Sequence, residues 1–332
     1  MMNIPSTEVV QKAYEMWLGV GDSVCISQSE NFIYSFTQHG KDYVLRLTPM
    51  EKKQLELYDA EMKVLKHLAS HDVKICQPTE SKSNRLIELI CTNKGEPSYI
   101  ASAFVKLFGE QIDTADVDSE FLFQWGELLG SIHKIGSEMS PEQFKRPTEA
   151  SVVTDVKNLL NDCAVDIDDE LRLFIQSEIE WLSNLPMNSR NYGLNHGDLA
   201  VNNLIKTNNQ LYAIDFDSCH FCHFIIDVAL TIRASVGSMS DLNKAQRERC
   251  HQANAKHFLS GYHTQHPLDN IEVESIARVI NLIDCFEYLI LRYRYFKRQS
   301  QQEAHFTMGS ISSEKFEQIA SDIISSEQLL WL

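Results

Sequence analysis

LNHGDLAVNNLIKTNNQLYAIDFD, residues 194–217, is the stretch on which the reading of this chain turns. Leu194 leads into His196-Gly197-Asp198, and the apolar pair Leu204-Ile205 follows Asn203. A turn-rich segment, Lys206 to Gln210, then precedes Leu211-Tyr212-Ala213-Ile214 and Asp215. The pattern predicts a short strand, a polar turn at Asn208-Asn209, and a second strand ending at Asp215. Asp198 and Asn203 then flank the first strand of a hairpin, and Asp215 closes the second. Asp and Asn are also plain turn formers, because both bond readily to nearby backbone. That accounts for Asn208 and Asn209. It does not account for His-Gly-Asp followed at five residues by Asn and then by Ile-Asp-Phe-Asp.

Those residue types at those spacings suit phosphoryl transfer from a nucleotide, in which one aspartate accepts the proton of a hydroxyl while an asparagine and a second aspartate hold Mg²⁺. The segment resembles the catalytic region of the aminoglycoside phosphotransferase and choline kinase-like family, relatives of the protein kinases. That family carries His-Gly-Asp in place of His-Arg-Asp, an Asn five residues on, and Ile-Asp-hydrophobic-acid in place of Asp-Phe-Gly. Here these are His196-Gly197-Asp198, Asn203 and Ile214-Asp215-Phe216-Asp217. The resemblance implies an α+β, bilobal protein kinase-like fold, with a small β-rich N-terminal lobe and a larger helical C-terminal lobe. It implies Asp198 as catalytic base, Asn203 and Asp215 as metal ligands, and ATP (or GTP) with Mg²⁺ as cofactors.

At 332 residues, 43% of them hydrophobic, the chain is long enough for two lobes with a real core. The formal charge of −16 argues against nucleic acid, whose binders need a basic face to displace counterions. It is compatible with a cationic small-molecule acceptor. No stretch approaches the apolar length that spans a bilayer, so no membrane partner is expected. The start, MMNIPSTEVVQKAYEMW, lacks the basic opening and apolar core of a signal peptide. It reads as a capped amphipathic helix from near Ser6, with Val9, Val10, Ala13 and Trp17 on its apolar side. Cytoplasmic residence follows as the expectation, and the eight scattered cysteines are then expected as reduced thiols. Cys219-His220-Phe221-Cys222-His223 fits the C-x-x-C-H pattern of haem attachment. It follows Asp217 directly, where the resemblance expects a loop leading to a helix, and without an export signal the match is read as coincidence.

From Ser23 to about Thr48 the residues favour strand, with a turn at His39-Gly40. Glu51 to Ala69 has helical spacing, and Arg85–Cys91 and Tyr99–Val105 are strand-like. After Gly109 the patterns are mostly helical, at Phe121–Lys134, Val153–Leu160, Glu170–Leu185, Ile225–Ser235, Asp241–Gly261, Asn270–Arg298 and Ser313–Leu330. The boundary is placed near Phe104 to Gly109, giving a nucleotide-binding lobe over 1–104 and a catalytic, acceptor-binding lobe over 105–332.

Phosphate handling needs a fixed cation on a strand, and Arg46 stands where the family has Lys or Arg. The resemblance makes Glu61 its partner on the following helix, with Glu56 as a competitor. The loop over the phosphates falls at Gln28–Phe32 and contains no glycine; Ser29 and Asn31 are its candidate contacts. The linker Phe104-Val105-Lys106-Leu107 is expected to present backbone groups of Val105 and Leu107 to a purine edge. His196 is expected to anchor the catalytic loop, and Asp227, in Ile226-Asp227-Val228-Ala229, resembles the family's buried aspartate that braces it. Asp217 has three open roles: assisting the metal, contacting a cationic acceptor, or hydrogen bonding within the fold. The expected activity is Mg-dependent transfer of a γ-phosphate to a hydroxyl of a small, cationic acceptor. A homoserine kinase-like metabolite kinase and a nucleotide-binding regulatory protein that has lost catalysis are the alternatives.

Overall fold

The structure is a computed structural model and describes residues 4–22, 24–28, 31–50, 55–91, 97–112, 116–161, 167, 169–236 and 244–301. The first elements are α1 (Thr7–Met16), β1 (Ser27–Gln28), β2 (Phe32–Gln38), β3 (Lys41–Pro49), α2 (Leu55–Ala69), β4 (Pro78–Thr79), β5 (Ile87–Cys91), β6 (Pro97–Val105) and β7 (Glu110–Gln111). The helices α3 (Ser119–Gly136), α4 (Pro141–Phe144), α5 (Glu149–Asn161) and α6 (Asp169–Ser183) follow. Then come β8 (Tyr192–Asn195), a 3₁₀ turn at Val201–Asn203, β9 (Leu204–Thr207), β10 (Gln210–Ala213) and β11 (His220–His223). The described chain ends in α7 (Phe224–Ala234), α8 (Lys244–Tyr262) and α9 (Asn270–Gln301). Two compact units result. One comprises Met1–Asp113, Ser140–Arg146 and Asn202–Cys219, and the other Thr114–Met139, Pro147–Val201 and His220–Leu332. Among the described residues, no helix is long and apolar enough to cross a membrane.

The first unit is built on a sheet in the order β1-β2-β3-β6-β4, with β5 also paired to β6. Strand side chains alternate between faces, so Phe32, Tyr34 and Phe36 of β2 and Leu45 and Leu47 of β3 share one face. They are buried against Val9, Val10, Ala13, Tyr14 and Trp17 of α1. Ser6 caps α1 as expected, its side chain accepting from the Val9 N–H. The opposite face carries Arg46 and Thr48. The antiparallel register sets Arg46 across from Ser102, and both are buried. The hairpin β9–β10 belongs to this unit, paired on its other side to β7. Its turn residues Asn208 and Asn209 both take left-handed backbone, φ 50° and 58°, as a two-residue hairpin turn requires.

In the second unit α3 packs against α8 through glycine. A Cβ on Gly126 would lie 1.9 Å from the Phe258 carbonyl oxygen, so only glycine admits this backbone approach. Val153 and Leu160 of α5, Leu171, Ile175 and Ile179 of α6, and Cys285, Tyr288 and Leu289 of α9 form a further core. One element departs from the sequence reading. The residues after Asp217 form not only a loop but the strand β11, antiparallel to β8 with Cys222 opposite Gly193. The expected helix over Ser313–Leu330 lies outside the described residues.

Candidate functional site

In the second unit the geometry is built around Asp227, in the first turn of α7. Its carboxylate is fully buried. Oδ2 accepts the His196 N–H at 2.7 Å and Oδ1 accepts the Gly197 N–H at 3.0 Å. A third donor, His133 Nε2, lies 3.1 Å from Oδ2. An ionised carboxylate only accepts, so the His133 proton sits on Nε2 and Nδ1 accepts from the Tyr262 hydroxyl at 2.8 Å. Burial alone would raise the Asp227 pKa; the hydrogen bonds from His133 and from the His196 N–H oppose it, and on balance the pKa is held below the usual carboxylate value. Burial likewise lowers the pKa of His133 and favours its neutral form.

This brace fixes the backbone that presents Asp198. Gly197 has φ +84°, a conformation that glycine takes without a Cβ penalty. The Asp198 N–H donates to His196 Nδ1 at 3.3 Å. His196 is buried while the Asp198 side chain is exposed. An exposed carboxylate on a buried, hydrogen-bonded loop is positioned rather than floppy.

In the first unit two further groups of residues meet. The Ile214 N–H donates to the Asn203 carbonyl at 3.0 Å, extending the β9–β10 ladder one residue beyond its Leu204–Ala213 pair. Asn203 and Asp215 therefore sit at the same end of the hairpin. Asp215 is exposed and left-handed, φ +64°, a conformation that costs a non-glycine residue about 1–2 kcal/mol and is often found at functional sites. The other edge of β10 is held by the Ala213 N–H to Lys74 O and the Cys76 N–H to Ala213 O. An amide oxygen and a carboxylate are hard donors, the type Mg²⁺ prefers, and too few to hold it without phosphate oxygens or water. Among the described residues there is no group of three or more His, Cys, Asp and Glu that could hold a metal.

Arg46 and Glu61 form a bidentate pair, Nη1–Oε1 2.8 Å and Nη2–Oε2 3.0 Å. Nε donates to Ser102 Oγ at 3.3 Å, and Nη2 also approaches Met62 Sδ at 3.8 Å. These contacts engage four of the five guanidinium N–H donors. The rings of Tyr58 and Phe104 lie 5.4 and 5.3 Å from the guanidinium carbon. Burial opposes the Arg46 charge, yet the Glu61 carboxylate, with Tyr58 and Asp215, raises its pKa on balance. Glu56 is exposed and is not the partner.

The remaining sequence candidates are placed as follows. Asn31 Oδ1 accepts from Thr48 Oγ1 at 2.5 Å, a strand-edge bond, and Ser29 lies outside the described residues. In the linker the Val105 N–H donates to Gln77 O and the Lys106 N–H to Asp42 O. Ser218 Oγ donates to the exposed Asp217 carboxylate. Burial pushes the Cys219 thiol up to about 12. His223 Nδ1 lies 2.6 Å from Glu149 Oε2, which also accepts the His223 N–H. The C-x-x-C-H side chains are thus committed to the fold. His133 was hidden within the amphipathic pattern Phe121–Lys134, with no signal beyond its polarity on an apolar face.

The sequence profile of the phosphotransferase enzyme family (APH) matches residues 26–264. Amicoumacin kinase of Bacillus subtilis (strain 168) is 24% identical over 211 residues, which span 62% of this chain and 61% of that protein. Among solved structures, amicoumacin kinase hAmiN in complex with AMP-PNP, Ca²⁺ and Ami has a TM-score of 0.74 at 19% identity, covering 96% of this chain and 93% of that one. A microcompartment-associated aminopropanol kinase has a TM-score of 0.66 at 17% identity, covering 96% and 94%. At these identities the structural likeness is one of fold, and that fold is the α+β, kinase-like one.

Proposed function

We propose that this chain, which belongs to the phosphotransferase enzyme family (APH), transfers the γ-phosphate of ATP to a hydroxyl of a small, amine-bearing molecule. The observation that carries this reading is the family match over residues 26–264, which runs through His196-Gly197-Asp198, Asn203 and Asp215. In the reaction the acceptor hydroxyl hydrogen-bonds to the Asp198 carboxylate. As its oxygen bonds to the γ-phosphorus, its proton passes to Asp198, the β–γ bridging bond breaks, and the nucleoside diphosphate leaves. The transition state of such transfers is loose, so holding the acceptor in line matters more than the strength of the base. The Asp227 brace serves that need by keeping the Asp198 backbone fixed.

Asn203 and Asp215 would hold Mg²⁺, which supplies neutralisation of charge on the phosphate oxygens. The fifth guanidinium N–H of Arg46, on Nη1, has no acceptor among the described residues and is the donor assigned to a phosphate. Because the Val105 N–H is already engaged, the Val105 carbonyl and the Leu107 N–H are the linker groups assigned to the purine edge. The formal charge of −16 and the aminopropanol kinase relative favour an amine on the acceptor.

The test is acceptor-dependent ADP release by the purified protein with Mg²⁺ and ATP, across amino alcohols, aminoglycosides, amino acids and sugars. At least one amine-bearing alcohol is expected to stimulate release. Asp198→Asn is expected to cut turnover by roughly 10²–10⁴ with nucleotide binding retained. No stimulation by any acceptor, or undiminished turnover in that variant, overturns the proposal.

A further inference from the structure

Arg146 is a buried cation with an unusual set of partners. It follows α4, whose C-cap Lys145 is left-handed (φ +52°) with its N–H bonded to Pro141 O. Phe144 packs edge-on against His67 of α2 at 5.2 Å, holding this segment to that helix. Only 6% of Arg146 is exposed. Its Nε donates to Cys219 O at 2.7 Å, Nη1 to Leu57 O at 3.0 Å, and Nη2 to Asp217 O. All three acceptors are main-chain carbonyls, and among the described residues no carboxylate forms a salt bridge with it.

Stability alone does not explain this arrangement. A buried charge pays a large desolvation cost, and no carboxylate among the described residues pairs with Arg146 to offset it. What a guanidinium offers is a rigid, planar fork that spans several acceptors at once. The acceptors are telling. In an α-helix the carbonyl of residue i accepts the N–H of residue i+4, so Leu57 O is the acceptor for the N–H of Glu61, the partner of Arg46. Asp217 O and Cys219 O lie just beyond Asp215. One side chain therefore pins the turn of α2 that carries Glu61 and the loop that carries Asp215.

We propose that Arg146 is a positioning residue that locks the Asp215 loop to the Glu61 turn and so sets the affinity of the metal position at Asp215. This rests on the reading of Asp215 as a Mg²⁺ ligand. Arg146→Lys separates geometry from charge, because a single ammonium keeps the cation but cannot span three carbonyls. Calorimetric binding of a non-hydrolysable ATP analogue, titrated at increasing Mg²⁺, is the direct readout. In Arg146→Lys the half-saturating Mg²⁺ concentration is expected to rise by about 10-fold or more, the usual effect of losing support behind a ligand. Binding of the analogue without metal is expected to be unchanged. A wild-type protein whose analogue binding ignores Mg²⁺ would remove the metal reading of Asp215 and this inference with it. Metal-dependent wild-type binding with an unaltered Mg²⁺ requirement in Arg146→Lys would overturn the role of Arg146 alone. Thermal unfolding runs alongside. If both Arg146→Lys and Arg146→Gln fail to fold, Arg146 holds the fold rather than the loop, and the inference is wrong.

Discussion

Replacing Asp227 by asparagine is the sharpest test of how the Asp198 loop is held, because the change is nearly isosteric and only hydrogen bonding differs. The native carboxylate accepts three bonds, from His196 N–H, Gly197 N–H and His133 Nε2–H. An amide has one oxygen. Aimed at His196 and His133, that oxygen keeps two bonds without their charge assistance, and the amide NH₂ then faces the Gly197 N–H, donor against donor. Losing charge assistance costs about 1 kcal/mol for each retained bond, and a buried donor left unsatisfied costs about 1–3 kcal/mol. The expected destabilisation is about 3–5 kcal/mol, the range for breaking a buried charged interaction on one side. Denaturant unfolding measures it, and amide exchange at His196 and Gly197 reports the loop directly, with protection expected to fall most there. The pH dependence adds a check. The folded pKa of Asp227 is depressed, so its contribution is present above the ordinary carboxylate pKa of about 4 and is lost as pH falls through the lower folded value. The gap between wild type and Asp227→Asn should persist at neutral pH and close in strong acid. A destabilisation under 1 kcal/mol with unchanged exchange at Gly197 would refute the brace.

Two other outcomes follow from the second unit. Gly126→Ala forces a Cβ to 1.9 Å from the Phe258 carbonyl oxygen and 2.9 Å from the Tyr262 nitrogen, both backbone atoms that cannot turn aside. It is expected to cost at least about 1–3 kcal/mol, and an unchanged melting temperature would contradict the helix contact. Burial, with the charges of Arg233 and Arg247, lowers His251 to about 4, whereas the unfolded side chain titrates near about 6.5. The unfolded state then binds the extra proton, so stability present above pH about 6.5 is lost as pH falls toward about 4. His133 and His266 are shifted in the same direction, so His251→Gln should flatten this slope only in part. Identical slopes in urea midpoints at pH 7 and 5 would sink the assignment.

The elements that were legible in the sequence share one property: their signal is carried by side chains close together along the chain. The hairpin announced itself through Asn208-Asn209 between two apolar runs, and the left-handed angles at both residues are what those asparagines are good for. Glu61 came from the family resemblance, which left Glu56 as a competitor on the same helix, and the bidentate bonds to Arg46 decide between them. The pairing of β11 with β8 was not legible. His220–His223 is four residues long, and its partner Tyr192–Asn195 lies across the whole hairpin, so no local pattern links them.

Arg146 was invisible for a deeper reason. Its partners are carbonyls of residues 57, 217 and 219, and a carbonyl looks the same whatever side chain it carries. His133 was hidden similarly, since an apolar helical stripe with one histidine reads as packing until the Asp227 carboxylate is placed against it. The consequence bears on how the proposed chemistry can fail. Substitutions at Asp198, Asn203 or Asp215 remove groups assigned to the reaction. Substitutions at His133, Asp227 or Arg146 leave those groups in the chain and remove what fixes their backbone. Because phosphoryl transfer of this type depends on positioning, the second set should impair turnover while leaving every motif residue unchanged.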